Sequence, residues 1–216
     1  LYANGVFPMA HSPDAPDVFL VEPKTRGVFP LDRLMLPRRL KRTLRQDPFE
    51  VRINTAFETV LAACANPDRP GAWINSALLG MYRSLYAEGA AHSVETWRGG
   101  RLVGGLFGVS LRGAFFGESM FSFETDASKV ALAHLAARLI QGGFRLLDAQ
   151  FITDHLASLG AEEIARELSL IHMSAALEVE GAFPGPAPLR GAGVLQVISQ
   201  ASYTGCSGPL RPGDEA

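Results

Sequence analysis

Between His92 and Ser110 the chain reads HSVETWR, then Gly99-Gly100, then RLVGGLFGVS. Two strand-like runs joined by two glycines signal a β-hairpin, because the tight turn that matches strand twist needs positive φ at both central residues. GAFFGES, residues 113–119, reads as a third strand. Gly104, Gly105 and Gly108, inside the second strand, point to a bulge or to close approach by another backbone or a ligand. A largely antiparallel sheet is therefore the frame on which the rest must pack.

Helical patterns surround that frame. Thr55 and Glu58 have capping-box spacing, and Phe57, Val60, Leu61 and Cys64 then share a face. After the breaker NPDRPG, Asn75 is placed to cap a helix. Leu78, Leu79, Tyr82 and Leu85 line it, and Gly89 stops it. Asp126 is expected to cap a helix that carries Leu132, Leu135, Ala136 and Leu139 on one face and ends at Gly142-Gly143. FRLLDAQF reads as a buried strand, and TDHLASLG as a short helix capped by Thr153 or Asp154. One more helix is expected near residues 162–177. Residues 1–32, rich in Pro and aromatics, read as an irregular segment packed on something else. Residues 181–216 read as a meandering tail. The order of elements predicts an α+β fold, a mixed, largely antiparallel sheet flanked by helices.

With 216 residues, 47% of them hydrophobic and 19% charged, the chain has ample material for a real core. A net charge of -2 advertises no global basic field. Yet RRLKRTLR concentrates Arg38, Arg39, Lys41, Arg42 and Arg45 in eight residues. Such a run is either a solvated helix face or a phosphate-binding patch. Cys64 and Cys206 are the only cysteines, which argues against a disulfide framework and for a reducing compartment. The five histidines show no zinc-type pairing. No apolar run approaches the roughly 18–20 residues of a membrane span, and no signal peptide is visible.

The most unusual single residue is Glu118. It sits among Phe115, Phe116, Met120, Phe121 and Phe123, just before the pattern turns polar. A carboxylate there must be hydrogen-bonded, paired with a cation, or held neutral. A purely structural use would be as a buried cap for the turn before Asp126.

The motifs GESMFS, LDAQF and DHLASLG, together with GVFP, FEVRINTAF and AWIN, resemble the leucyl/phenylalanyl-tRNA–protein transferase family. The likeness covers nearly all of the chain to about Glu163. It implies a GNAT-like acyltransferase domain over residues 29–216, preceded by an abbreviated N-terminal segment, residues 1–28. It also implies transfer of Leu, and less well Phe, from aminoacyl-tRNA to proteins that begin with Arg or Lys. Such a product is marked for N-degron proteolysis in the cytoplasm. No cofactor, metal or membrane partner is implied.

By the same resemblance, Asp148 and Gln150 line the reaction centre and Glu118 meets the acceptor's basic residue or amine. As strand neighbours two apart, Asp148 and Gln150 should face the same way. An amide oxygen is a feeble base, so Gln150 reads as an orienter of the amine. Water or the leaving ribose hydroxyl then carries the proton. Tyr2, Met9, Trp73, Tyr82, Leu106, Phe115, Met120, Leu135, Leu139 and Leu147 match positions of the donor-side-chain and terminal-adenosine pocket. Arg38, Arg39, Lys41, Arg42 and Arg45 would meet the tRNA. Four of the pocket positions, Leu106, Leu135, Leu139 and Leu147, stand where better-known members carry Met, Phe, Phe and Ile. Met9 stands where they carry Trp. The alternatives are a coenzyme-A-dependent N-acetyltransferase and a non-enzymatic RNA-binding module. Against the first, the helix after GES opens on TDASK rather than on a glycine-rich phosphate loop.

Overall fold

In a computed structural model, residues 1–185 and 187–204 are described; Cys206 lies outside them. A 3-10 turn, Tyr2–Asn4, leads into β1 (Phe7–Met9), β2 (Phe19–Val21) and β3 (Thr25–Phe29). Then come α1 (Arg38–Gln46), β4 (Glu50–Ile53), α2 (Phe57–Cys64) and α3 (Ser76–Ala87). The central meander is β5 (Ala91–Arg98), β6 (Arg101–Leu111) and β7 (Ala114–Ser122). It is followed by α4 (Ala127–Gln141), β8 (Leu146–Gln150), α5 (Asp154–Ala157), β9 (Glu162–Ala165), α6 (Arg166–Leu177) and α7 (Gly191–Thr204).

The hairpin forms as its glycines require: Gly99 and Gly100 have φ of 55° and 74°, and β5 pairs antiparallel with β6. The seven-stranded sheet runs β4-β5-β6-β7-β8-β3-β9. Every pair is antiparallel except β7 with β8. A parallel pair needs a crossover, and α4 supplies it. Gly104, Gly105 and Gly108, expected at a bulge or a close approach, all lack room for a Cβ, and the tightest is Gly108. It stands beside a register shift between β6 and β7, where a Cβ would collide with the Phe116 carbonyl and the Phe115 ring.

Strand neighbours point to opposite faces, and here both faces are buried. Phe29, Leu106, Phe115 and Leu147 join one core, covered by α1, α4 and α7. Val28, Phe107, Phe116 and Leu146 join the other, covered by α2, α3 and α6. The fold is α+β, a mixed sheet flanked by helices.

Several local expectations change. Residues 1–32 are not irregular: β1 and β2 form a small antiparallel sheet, and β3 enters the main sheet between β8 and β9. The sheet thus takes in residues on both sides of position 28. The start of the helix expected at 162–177 is instead β9, recruited as an edge strand by β3. The tail beyond 181 includes α7, which buries Val194 and Ile198 in the α4 core.

Thr55 and Glu58 form no capping box. The N–H groups of Thr55 and Ala56 both donate to buried Glu95 (2.9 Å each), the Thr55 hydroxyl also bonds Glu95, and Glu58 pairs with Arg83. Asp126 does not cap α4 through its side chain; it adopts a left-handed conformation and meets Arg39, Thr43 and Lys129. The Ser122 hydroxyl accepts from the Ser128 N–H instead. Asn75 and Thr153 do cap their helices.

Candidate active site

The β7–β8 ladder ends at the pair Phe116–Asp148. Beyond it the two strands part, and a cleft of about 240 Å³ opens between Gly117–Met120 on one side and Leu147–Ala149 on the other. Parallel strands that separate leave both sets of main-chain groups and alternate side chains facing the gap. Glu118 stands at that parting, 9% exposed. Its oxygens accept from two phenols, Tyr2 to Oε1 and Tyr82 to Oε2, each at 2.7 Å. Burial raises the Glu118 pKa above the usual carboxylate range, and the tyrosine bonds oppose that rise. Burial, reinforced by the negative carboxylate, pushes both phenols well above their ordinary value. Both tyrosines are therefore firm donors, and a carboxylate offers about four acceptor sites, so two remain for an incoming group. None of these bonds reaches the turn before Asp126, so the capping use of Glu118 is not what the structure contains.

Asp148, fully buried on β8, is met by Arg26 from β3. Arg26 Nε and Nη2 donate to Oδ2 at 3.1 and 2.9 Å. The other oxygen accepts the Gln150 backbone N–H at 2.7 Å. Burial raises the Asp148 pKa above its ordinary value, and the guanidinium offsets part of that rise. Gln150 has φ of 64°, so it leaves strand geometry. It approaches Glu118 through a left-handed turn, not through simple alternation along β8. Its amide lies near enough to help hold the Glu118 charge, while Nε2 makes no good hydrogen bond within the protein.

Leu106, Met120, Leu135 and Leu147 line the cleft, joined by Phe29, Leu132 and Leu156. Phe115 and Leu139 do not reach it; both are fully buried behind the wall. Tyr82 stands behind Glu118, and Tyr2 also packs on Phe116 with ring centres 4.8 Å apart. Met9 lies on the small β1–β2 sheet, and Trp73 packs at the margin of the α2–α3 core. Neither lines the cleft.

The polar rim holds Ser119, Thr153, His155 and Arg69. Arg69 donates to the carbonyls of Cys64 and Met120 at 2.8 and 2.6 Å, which ties the wall to α2. Burial and nearby Lys129 lower the His155 pKa. Sequence reading missed Arg26, Arg69 and His155. For Arg26 the one available signal was indirect: the acid inside the apolar run LLDAQF needs a cation or donors, and nothing in the local sequence says which arginine supplies them.

Helix α1 buries Leu40 and Leu44 and leaves Arg38, Arg39, Arg42 and Arg45 exposed. Leu40 touches a small void shared with Phe29, Leu132 and Leu147, three residues that also line the cleft. The buried side of α1 thus packs on residues that line the cleft, and the basic residues lie on its exposed side. Arg39 is paired with Asp126. Arg38, Lys41, Arg42 and Arg45 have no ion pair among the described residues. Among the described residues no three His, Cys, Asp or Glu side chains gather as a metal set.

Residues 28–173 match the model of the family described as leucyl/phenylalanyl-tRNA protein transferase. The chain belongs to that family. A protein of this name from Caulobacter vibrioides is 55% identical over 204 residues, 93% of this chain and 94% of its own. One from Hyphomonas neptunium is 54% identical over 217 residues, 98% of this chain and 82% of its own. A third, from Rhizorhabdus wittichii, is 58% identical over 180 residues, 82% and 73%. The chain is thus an aminoacyltransferase. The transferase match takes in Glu118, Asp148 and Gln150, while Tyr2 and Arg26 lie before its first residue.

Proposed function

We propose that this transferase moves leucine, and less well phenylalanine, from aminoacyl-tRNA to the α-amino group of proteins that begin with Arg or Lys. It would act in the cytoplasm and mark its products for N-degron proteolysis. We read its sheet, with strands parting beside a cleft, as GNAT-like. One observation carries the proposal. A buried carboxylate, Glu118, is held by two phenols at a cleft whose walls are Leu106, Met120, Leu135 and Leu147 and which also takes in Asp148.

The chemistry asks little more. The donor ester is already activated. The nucleophile is an α-amine with a pKa of about 7.7–8.0, so roughly a fifth to a third of it is neutral near physiological pH. Attack on the ester carbonyl forms the new amide as the bond to the tRNA ribose oxygen breaks. Positioning and charge stabilisation are the main needs. Leu106, Met120, Leu135 and Leu147 receive the donor side chain. Glu118 takes the acceptor's cationic head through a charge-assisted bond, strong in a partly dry site. Gln150, fixed through Asp148, orients the amine, and the amine's proton passes to water or to the departing ribose oxygen, which leaves as a hydroxyl. Arg38, Lys41, Arg42 and Arg45, with Arg39 if released from Asp126, contact acceptor-end phosphates.

Acetyl transfer from coenzyme A finds no support. At the start of α4 the Ser128 N–H is already taken by the Ser122 hydroxyl, and the helix opens on TDASK rather than on a glycine-rich phosphate loop. The test offers one Arg-started peptide to the enzyme with Leu-tRNA, Phe-tRNA or acetyl-coenzyme A. Leucyl product in excess of phenylalanyl product, with no acetylation, is expected. Acetylation without leucyl transfer would overturn the proposal, and RNA binding with no transfer would return the chain to a binding module.

A further inference from the structure

We propose that Arg26 is a positioning residue for the transfer step, setting Gln150 and Tyr2 from one buried point. This rests on the placing of Asp148 and Gln150 at the reaction centre. Arg26 is 1% exposed and does not line the cleft. Two of its nitrogens hold Asp148 Oδ2. The third, Nη1, donates to the Gly5 carbonyl at 3.1 Å, and its plane lies over Phe7, 4.9 Å from the ring centre.

Each contact leads to the site in one further step. Asp148 Oδ1 accepts the Gln150 N–H. Gly5 closes the turn that carries Tyr2, its own N–H bonded to the Tyr2 carbonyl at 2.9 Å, and Tyr2 donates to Glu118. A non-glycine residue persists in the left-handed region only where its surroundings over-determine it. At Gln150 the determining contact is the Asp148 carboxyl, and Arg26 favours the charged form of that acceptor. A buried ion pair of this kind is poor evidence of stability, which leaves geometry as the reason for it.

Asp148 is faced by Arg26 from β3 and by Glu118 from β7, with Tyr2 and Tyr82 behind Glu118. His155 of α5 looks onto the same cleft. Without Arg26, burial is opposed only by the Gln150 N–H, so the Asp148 pKa rises further and the carboxyl releases its proton at higher pH than in the wild type. The Arg26→Met variant should therefore lose at least about tenfold in kcat, with KM for Leu-tRNA nearly unchanged. Its pH–rate profile should gain a limb that rises with pH. Adding Asp148→Asn should remove that limb and cause little further loss, because residues acting in one chain are non-additive. Arg26→Lys, which keeps the charge but loses the fork, should show a smaller loss and no limb.

Wild-type kcat in Arg26→Met would overturn the inference. So would a pH-independent loss that multiplies with that of Asp148→Asn. If Arg26→Met does not fold, Arg26→Lys decides: lowered kcat at an unchanged Tm supports the role, and wild-type kcat refutes it. Gln150→Ala, run alongside, separates the two levels. A wild-type rate there sinks the reaction-centre assignment itself, whereas a slow Gln150→Ala beside a fast Arg26→Met sinks only the inference about Arg26.

Discussion

Replacing Glu118 with Gln removes a charge while keeping the shape. In the folded protein the carboxylate accepts two phenolic hydrogen bonds at 2.7 Å. The amide oxygen of Gln keeps one of them, and the second phenol can rotate to accept from the amide nitrogen. Each charged bond becomes a neutral one, a loss of roughly 1 kcal/mol apiece. Against this, the variant no longer buries a charge. The sign follows from the raised pKa of Glu118. The folded state holds the proton more tightly than the unfolded chain, so the stability that comes from a neutral carboxyl is present at low pH. It is lost as pH rises through the folded-state pKa. At neutral pH the two effects oppose each other, and Tm should change little.

Acceptor use should change a great deal. A bond from an Arg or Lys head to a carboxylate contributes roughly 1.5–3 kcal/mol, and each 1.36 kcal/mol is tenfold. Transfer to Arg- and Lys-started peptides should therefore fall by about tenfold to a hundredfold in kcat/KM, with Leu-tRNA affinity unchanged. In the wild type, kcat/KM should decline as pH falls and Glu118 takes up its proton; in Glu118→Gln that dependence should vanish. A large drop in Tm, with donor and acceptor steps impaired alike and acceptor preference intact, would refute the recognition role.

Further outcomes follow from the same contacts. Gln150→Ala should slow transfer by tenfold or more, about 1.4 kcal/mol, at unchanged Tm. Asp148→Ala should also lose roughly 3–5 kcal/mol of stability, because it leaves Arg26 buried and unpaired; urea unfolding of the two variants checks both. Neutralising two of Arg38, Lys41, Arg42 and Arg45 should weaken tRNA binding and flatten its salt dependence by roughly one unit of slope per lost phosphate contact. The change should be alike for different tRNA sequences, and an unchanged slope would make the run a solvated face. Ile198→Ala should destabilise the fold by about 2–5 kcal/mol if α7 belongs to the core, which thermal unfolding measures.

Legibility tracked how local each determinant is. The Gly99-Gly100 hairpin, the Asn75 cap and the apolar length of α4 depend on neighbours in sequence, and all could be read. Strand β3 could not: it is five residues long, holds a buried arginine, and finds its partners β8 and β9 more than a hundred residues later. Glu162–Ala165 reads as helix-forming yet becomes an edge strand, because β3 offers an unpaired side. The cap of α2 comes from Glu95, about 40 residues on, so the nearby Thr55–Glu58 spacing was a false local signal. At the site, the strain of a lone acid among aromatics marked Glu118. Its phenolic donors were beyond local reading, since Tyr2 lies 116 residues away. The resemblance supplied both tyrosines as pocket positions; the geometry gives them a different place, behind and around the carboxylate.

Acceptor choice is the most direct test of what Glu118 faces in the cleft. One reaction would hold wild-type enzyme, limiting Leu-tRNA and equal amounts of peptides beginning with Arg, Lys and Ala, identical beyond the first residue. Mass spectrometry then counts leucyl products on each. Leucine should accumulate on the Arg and Lys peptides and leave the Ala peptide at least about tenfold behind, the worth of one charge-assisted bond. Equal leucylation of all three would contradict recognition of a cationic head by the Tyr2–Glu118–Tyr82 cluster.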